Sequence, residues 1–162
     1  MFEVHPNLFV GSDRDCPFAS RGRPATEELA VVHACKSPCH QKAVGYKGNL
    51  PPDHAHYLVL ERGNDLFLNM IDPAKPLFMP PLFERSLDFI EKHINIRKVL
   101  IHCNLGNSRS PSLALLYMAK RPRVISDESY PAAMKDFRSI FPEYEPGLGI
   151  QIYLSQNWNQ LG

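Results

Sequence analysis

The segment Val99-Leu100-Ile101-His102-Cys103-Asn104-Leu105-Gly106-Asn107-Ser108-Arg109-Ser110-Pro111 organises the reading of this chain. Its first three residues are wholly apolar, as a central strand covered on both faces would be. A small polar loop follows. Pro111 suits a first helical turn, where a missing N–H costs nothing, and Leu113 to Ala119 continues as a buried helix. A strand therefore delivers a cysteine, five residues intervene, and an arginine opens a helix. That arrangement builds an anion site. The N–H groups of the Cys103–Arg109 turn converge on one point, and the helix amino end adds its partial positive charge. Gly106 permits backbone angles that a larger residue resists. Arg109 presents a planar fork that matches two oxygens of a bound oxyanion.

Outward from this segment, short apolar runs alternate with turns. Leu8-Phe9-Val10 reads as a strand closed by Gly11-Ser12, and Leu29 to Ala34 forms another apolar run. Lys36 to Pro52, with Gly45, Gly48 and Pro51-Pro52, reads as a long polar excursion. His56 to Leu60 and Leu66 to Met70 are strand-like, with Arg62-Gly63-Asn64 as the turn between them. Leu82, Phe83, Leu87, Phe89, Ile90 and Ile94 recur at helical spacing, which predicts a helix over Leu82 to His93. Ser126 or Asp127 is expected to cap a further helix with Met134, Phe137, Ile140 and Phe141 on its apolar side. Ile150 to Trp158 is expected to form the last one. No repeat or linker divides residues 1–162. The expected architecture is one α/β domain with a mostly parallel or mixed central sheet flanked by helices.

Composition removes several classes of function. The chain has 162 residues, 18 Lys plus Arg against 17 Asp plus Glu, and a net charge of +1. That balance argues against binding driven by bulk charge, so neither nucleic acid nor a membrane surface is an expected partner. A 44% apolar content supports a packed core rather than disorder. No run approaches a membrane span, and the first residues lack the pattern of a secretory signal. A reducing cytoplasm is the expected setting, in which Cys16, Cys35, Cys39 and Cys103 are read as catalytic, metal-bound or buried thiols rather than disulfides. Fifteen prolines, more than is usual, point to many fixed turns.

Chemistry follows from the loop. Backbone dipoles and Arg109 favour Cys103 as a thiolate. A thiolate at the floor of an oxyanion cradle can attack phosphorus in line and form a phosphocysteine, which water then hydrolyses. Ser110 is placed to hydrogen-bond the sulfur as it leaves, and His102 to orient the loop without acting as the base. Asn104, Leu105, Gly106, Asn107 and Ser108 line the phosphate together with Arg109.

Residues 102 to 110, His-Cys-Asn-Leu-Gly-Asn-Ser-Arg-Ser, resemble the signature of the cysteine-dependent protein tyrosine phosphatases, in particular the small dual-specificity branch. Asn7 to Ser12 is similar to the opening strand of that branch, Leu115-Leu116-Tyr117-Met118 to the helix after the loop, and Pro146 to Ile150 to an element near its end. There Gly147 replaces an asparagine that braces the phosphate loop in relatives, and Pro111 replaces a small residue. The resemblance implies a dual-specificity phosphatase-like fold, no cofactor, and a phosphorylated protein or peptide as substrate. It also implies a general acid on an upstream loop. Asp72, thirty-one residues before Cys103, follows a predicted strand and opens the proline-rich loop Pro73–Pro81, and so fits that role. Asp65 precedes the strand, and Asp88 lies within a predicted helix.

Other enzymatic readings are a non-protein phosphate, such as a phosphoinositide, an RNA 5′ end or a sugar phosphate. Neutral Asn104, Leu105, Asn107 and Ser108 weigh against these highly charged ligands. A phosphoprotein-binding module without turnover would be expected to lack the cysteine, the arginine or the acid. His33, Cys35, Cys39 and His40 have the residue types of a zinc site. Adjacent Cys39 and His40 make an awkward ligand pair, so no metal is assigned. Buried cysteines and surface histidines are expected there instead. Cys35 or Cys39 forming a disulfide with oxidised Cys103 is a further reading of these thiols. The basic residues Arg21, Arg23, Lys36, Lys42 and Lys47 are read as a solvated face that could rim the phosphate pocket, while Phe78 and Phe83 are read as core.

Overall fold

Alternation along three neighbouring strands sets the architecture. The computed structural model describes residues 1–162. The strands are β1 (Phe2–His5), β2 (Leu8–Gly11), β3 (Leu29–His33), β4 (Val59–Arg62), β5 (Asp65–Leu68) and β6 (Lys98–His102). They form one sheet in the order β1-β2-β6-β3-β5-β4. β2, β6, β3 and β5 run parallel, and the edge strands β1 and β4 are antiparallel to their neighbours. The mixed sheet agrees with the sequence. β6 lies inside it, with its apolar run Val99, Leu100 and Ile101 buried.

One face of the sheet carries Ala30, Val32, Leu66, Leu68, Val99 and Ile101 into an apolar cluster of 38 buried residues. The helices that cover it are α3 (Pro80–His93), α4 (Arg109–Lys120), α5 (Tyr130–Ile140) and α6 (Leu148–Asn157). Phe83 of α3 stacks on Tyr153 of α6, with ring centroids 4.9 Å apart. Phe78 is buried too, so both phenylalanines are core as expected. Because side chains alternate along a strand, Val31, His33, Asp65, Phe67, Leu100 and His102 belong to the opposite face. That side is covered by α1 (Pro17–Arg21), a wide helical turn (Lys36–His40) and α2 (Gln41–Val44). Its apolar cluster is small: Cys16, Phe18, Cys35, Cys39 and Phe67.

Several boundaries differ from expectation. β4 begins three residues later than the predicted His56–Leu60 strand and pairs with β5 across Gly63, whose φ of +61° makes the tight turn. β1 is a four-residue edge strand that its sequence does not advertise. The excursion Lys36–Pro52 holds helical turns, because Cys39 and His40 are buried against the sheet. Ser129, rather than Ser126 or Asp127, caps α5 by accepting from the Ala132 N–H at 3.2 Å. Buried His33 and His40 correct the expectation of surface histidines at those positions.

Candidate active site

The carboxyl ends of β2, β3 and β6 meet at one edge of the sheet, the usual place for a ligand in a parallel α/β fold. Cys103 follows β6 directly and is buried. Its Sγ accepts the Gly106 N–H at 3.3 Å and lies 3.3 Å from Ser110 Oγ. The Ser110 hydroxyl also faces the Gly11 carbonyl at 3.1 Å, and the Cys103 N–H donates to the same oxygen at 3.3 Å. The end of β2 thereby pins both termini of the loop, a role of Gly11 that its sequence does not reveal. Gly106 is required for two reasons. Its φ is +85°, and a Cβ there would stand 3.0 Å from the Gly11 backbone.

Arg109, the first residue of α4, donates to the Met70 carbonyl at 3.0 Å and to Asn104 Oδ1 at 2.7 Å. Its Nε is buried and has no protein partner. The guanidinium is thus held across the loop with donor capacity to spare. Ser108 is buried and its Oγ accepts the Gly147 N–H at 2.9 Å, while the Asn107 carbonyl accepts the Glu145 N–H at 2.8 Å. Backbone groups of residues 145–147 therefore brace the loop. Leu105 projects into solvent at 81% exposure and supplies only its backbone to the loop.

Asp72 is exposed and lies over Gly147, where a Cβ would overlap its carboxylate. Two residues upstream, the Met70 carbonyl takes the Arg109 bond. The proline-rich segment is anchored by the Gly149 N–H, which donates to the Pro73 carbonyl at 3.2 Å. Asp72 thus sits at the rim of the loop on a fixed segment. The two competing carboxylates are engaged elsewhere. Asp65 is buried and accepts from His33 Nε2 at 2.7 Å, and Asp88 pairs with Arg121 at 2.7 Å. Lys42 donates to the Ala19 carbonyl at 3.0 Å and Lys36 bonds the Asn49 side chain.

His102 does more than orient the loop. Its Nδ1–H donates to the Cys103 carbonyl at 3.2 Å, and its Nε2 points the other way, into a second cluster. Cys16, His33, Cys39 and His102 are all buried, and their ligand-type atoms lie within 4.8 Å of one another. Hydrogen bonding with Cys39, and after it with His102 and His33, holds the Cys16 thiol well below its ordinary range against the effect of burial. Hydrogen bonds to Cys16 and Cys35, together with burial, push Cys39 upward. Burial opposes a charge on His33, but its hydrogen bonds to Asp65 and Cys16 outweigh that and raise its pKa. Of the four metal-type residues noted in the sequence, only His33 and Cys39 belong to this group. His40 turns away to the Tyr46 hydroxyl at 2.6 Å and the His56 carbonyl at 2.9 Å. Cys16 and His102 join from distant positions, and no local spacing signals them.

A thiol at the floor of a backbone cradle, closed by an arginine at a helix start, is the arrangement of a cysteine-dependent phosphatase. No protein-family model matches the chain. Human dual specificity protein phosphatase 16 is 30% identical over 150 residues, which are 87% of this chain and 19% of that protein. Tyrosine-protein phosphatase vhp-1 of Caenorhabditis elegans is 36% identical over 67 residues, 41% of this chain and 10% of that protein. Among solved structures, human DUSP28 aligns with a TM-score of 0.63 at 19% identity, covering 98% of this chain and 91% of that one. The human tyrosine phosphatase-like serine/threonine/tyrosine-interacting protein aligns at 0.61 and 21% identity, over 98% and 94%. By sequence the chain is a relative of the dual-specificity branch of the cysteine-dependent protein tyrosine phosphatase superfamily, and it spans about a fifth of the length of human dual specificity protein phosphatase 16. No helix in it is long and apolar enough to cross a membrane.

Proposed function

We propose that this chain hydrolyses phosphomonoesters on proteins, with phosphotyrosine the leading substrate and phosphoserine and phosphothreonine as further ones. The observation that carries the proposal is the Cys103 sulfur, set between the Gly106 N–H and the Ser110 hydroxyl at 3.3 Å from each, in a loop that the Arg109 guanidinium ties to Asn104 and Met70. The Gly106 N–H points at this sulfur, and N–H groups of the same loop are placed to bind the equatorial oxygens of the transferring phosphoryl group. The Cys103 thiolate attacks phosphorus as the P–O bond to the leaving group breaks, and Asp72 gives its proton to the departing oxygen. Water then attacks the phosphocysteine and loses a proton to the Asp72 carboxylate. The S–P bond breaks, and Ser110 donates to the sulfur that leaves as thiolate.

The neutral side chains of Asn104, Asn107 and Ser108 favour a phosphorylated side chain over a polyphosphorylated ligand. Cysteine, arginine and acid are all present, which supports turnover over binding alone. Purified protein is expected to hydrolyse para-nitrophenyl phosphate without added magnesium or manganese, and Cys103→Ser is expected to abolish that activity. Asp72→Ala should lower kcat by ~10² to 10⁴-fold. Activity that survives Cys103→Ser would refute the thiolate mechanism. A panel of phosphopeptides, phosphoinositides and triphosphorylated RNA tests the substrate class, and preferential turnover of either of the last two would overturn it.

A further inference from the structure

We infer that Cys16, His33, Cys39 and His102 form a structural zinc site beneath the phosphate-binding loop. The four side chains come from four segments: the residue capping α1, the end of β3, the wide helical turn and the end of β6. Parallel pairing sets His33 directly beside His102. Their facing nitrogens, His33 Nδ1 and His102 Nε2, are 2.8 Å apart, Cys16 Sγ is 3.4 Å from His33 Nδ1, and Cys39 Sγ is 3.8 Å from His102 Nε2. In tetrahedral zinc, with Zn–N of about 2.0 Å and Zn–S of about 2.3 Å, neighbouring ligand atoms are about 3.3 to 3.8 Å apart. The two sulfur–nitrogen distances fall within or at the edge of that range, and the two nitrogens, at 2.8 Å, would part by about 0.5 Å to admit the ion.

The outer shell selects the protonation that a metal requires. His33 Nε2–H donates to the Asp65 carboxylate at 2.7 Å, and His102 Nδ1–H donates to the Cys103 carbonyl at 3.2 Å. In each ring the outward nitrogen is thus a donor, so the inward nitrogen of the neutral imidazole carries a lone pair. Two lone pairs facing each other at this distance repel unless a cation lies between them. A proton on His33 Nδ1 can serve only one of its neighbours at a time, whereas zinc satisfies all four ligands together. Cys16 is further prepared by the Ala19 N–H, which donates to its sulfur at 3.3 Å.

Charge balances as well. Two thiolates neutralise the dication, which leaves one buried charge, the Asp65 carboxylate, held by hydrogen bonds from His33 Nε2 at 2.7 Å and the Ala25 N–H at 2.8 Å. On binding, the ion loses its water, and any proton on the two thiols passes to solvent. Two thiolates and two imidazoles in tetrahedral array select zinc over the harder cations, and a closed four-ligand set is structural rather than catalytic. Cys103 is not among the ligands. The ion's effect on the loop is support from below. It joins His102, the residue before the nucleophile, to the wide turn whose Ser37 carbonyl accepts Asn104 Nδ2 at 2.9 Å.

The test is metal analysis of the full chain, expressed with zinc and purified under a non-chelating phosphine reductant. About one zinc per chain is expected, as for a four-ligand structural site. Cobalt substitution should give the intense visible d–d bands and thiolate charge-transfer absorption of a tetrahedral S₂N₂ site. Cys16→Ser and Cys39→Ser should each lose the ion, whereas Cys35→Ala, at a neighbouring thiol outside the ligand set, should retain it. Folded wild-type protein without stoichiometric zinc would overturn the inference. So would an octahedral cobalt spectrum, or full zinc retention in Cys16→Ser. Wild-type stoichiometry and the cobalt spectrum decide the matter even if the serine variants fail to fold. Neither depends on turnover, so failure of the proposed phosphatase activity is a separate result.

Discussion

The two faces of the central sheet are held by different physics. Beneath α3 to α6, 38 buried residues pack as one apolar cluster. Beneath α1, the wide turn and α2 there are five, of which three are cysteines. The same strands serve both faces, and strand alternation sends Val32 and Ile101 one way and His33 and His102 the other. Apolar burial contributes in proportion to area, so the large face can rest on packing alone. The small face carries buried His33, His102 and Asp65 and needs directional bonds to be stable. The Cys103–Arg109 loop leaves β6 at the boundary between the two. The proposed nucleophile therefore depends on both.

The largest expected effect is on the apolar face. Phe83→Ala removes a fully buried ring and should cost about 3 to 5 kcal/mol, read from urea unfolding. That loss should be the same with or without a strong chelator. A chelator-dependent loss would show that the two faces are not independent. Zinc withdrawal from the wild type comes next. At free zinc a thousandfold above its Kd the ion stabilises the fold by about 4 kcal/mol, so stripping it should lower Tm clearly. An unchanged Tm would mean that the small face needs nothing beyond its apolar contacts. The finest probe is Asp65→Asn, which keeps an acceptor for His33 but removes the charge. Zinc affinity should fall by about 10 to 100-fold, measured by competition with a chromophoric chelator. Turnover at saturating zinc should stay unchanged. Unaltered zinc affinity would remove Asp65 from the metal's support.

How much of this was legible in the chain differed by region. Helix α3 followed from its apolar spacing, and β6 from an uninterrupted apolar run. The β1 edge strand was invisible, because four residues with one buried side chain leave little pattern. Helix α5 took Ser129 as its cap, where the sequence offered Ser126 and Asp127 on equal local terms. Ser126 instead supports the loop before the helix, its N–H bonding Asp136 at 2.9 Å. Around the candidate site, the strand, loop and helix start that carry Cys103, Gly106, Arg109 and Ser110 were readable at once. The anchoring of that loop by Gly11 and Gly147 was not.

The amino-acid sequence by itself determined the strand, loop and helix around Cys103. That unit is contiguous, and the chemistry proposed for it rests on its own backbone N–H groups and on Arg109, six residues from Cys103. Tertiary structure alone decided what lies beneath it. Residues 33 and 102 become neighbours through the parallel register of β3 and β6, and Cys16 and Cys39 reach them only when α1 and the wide turn close over the sheet. Parallel pairing joins strands across long crossovers, so no local spacing records which side chains will meet.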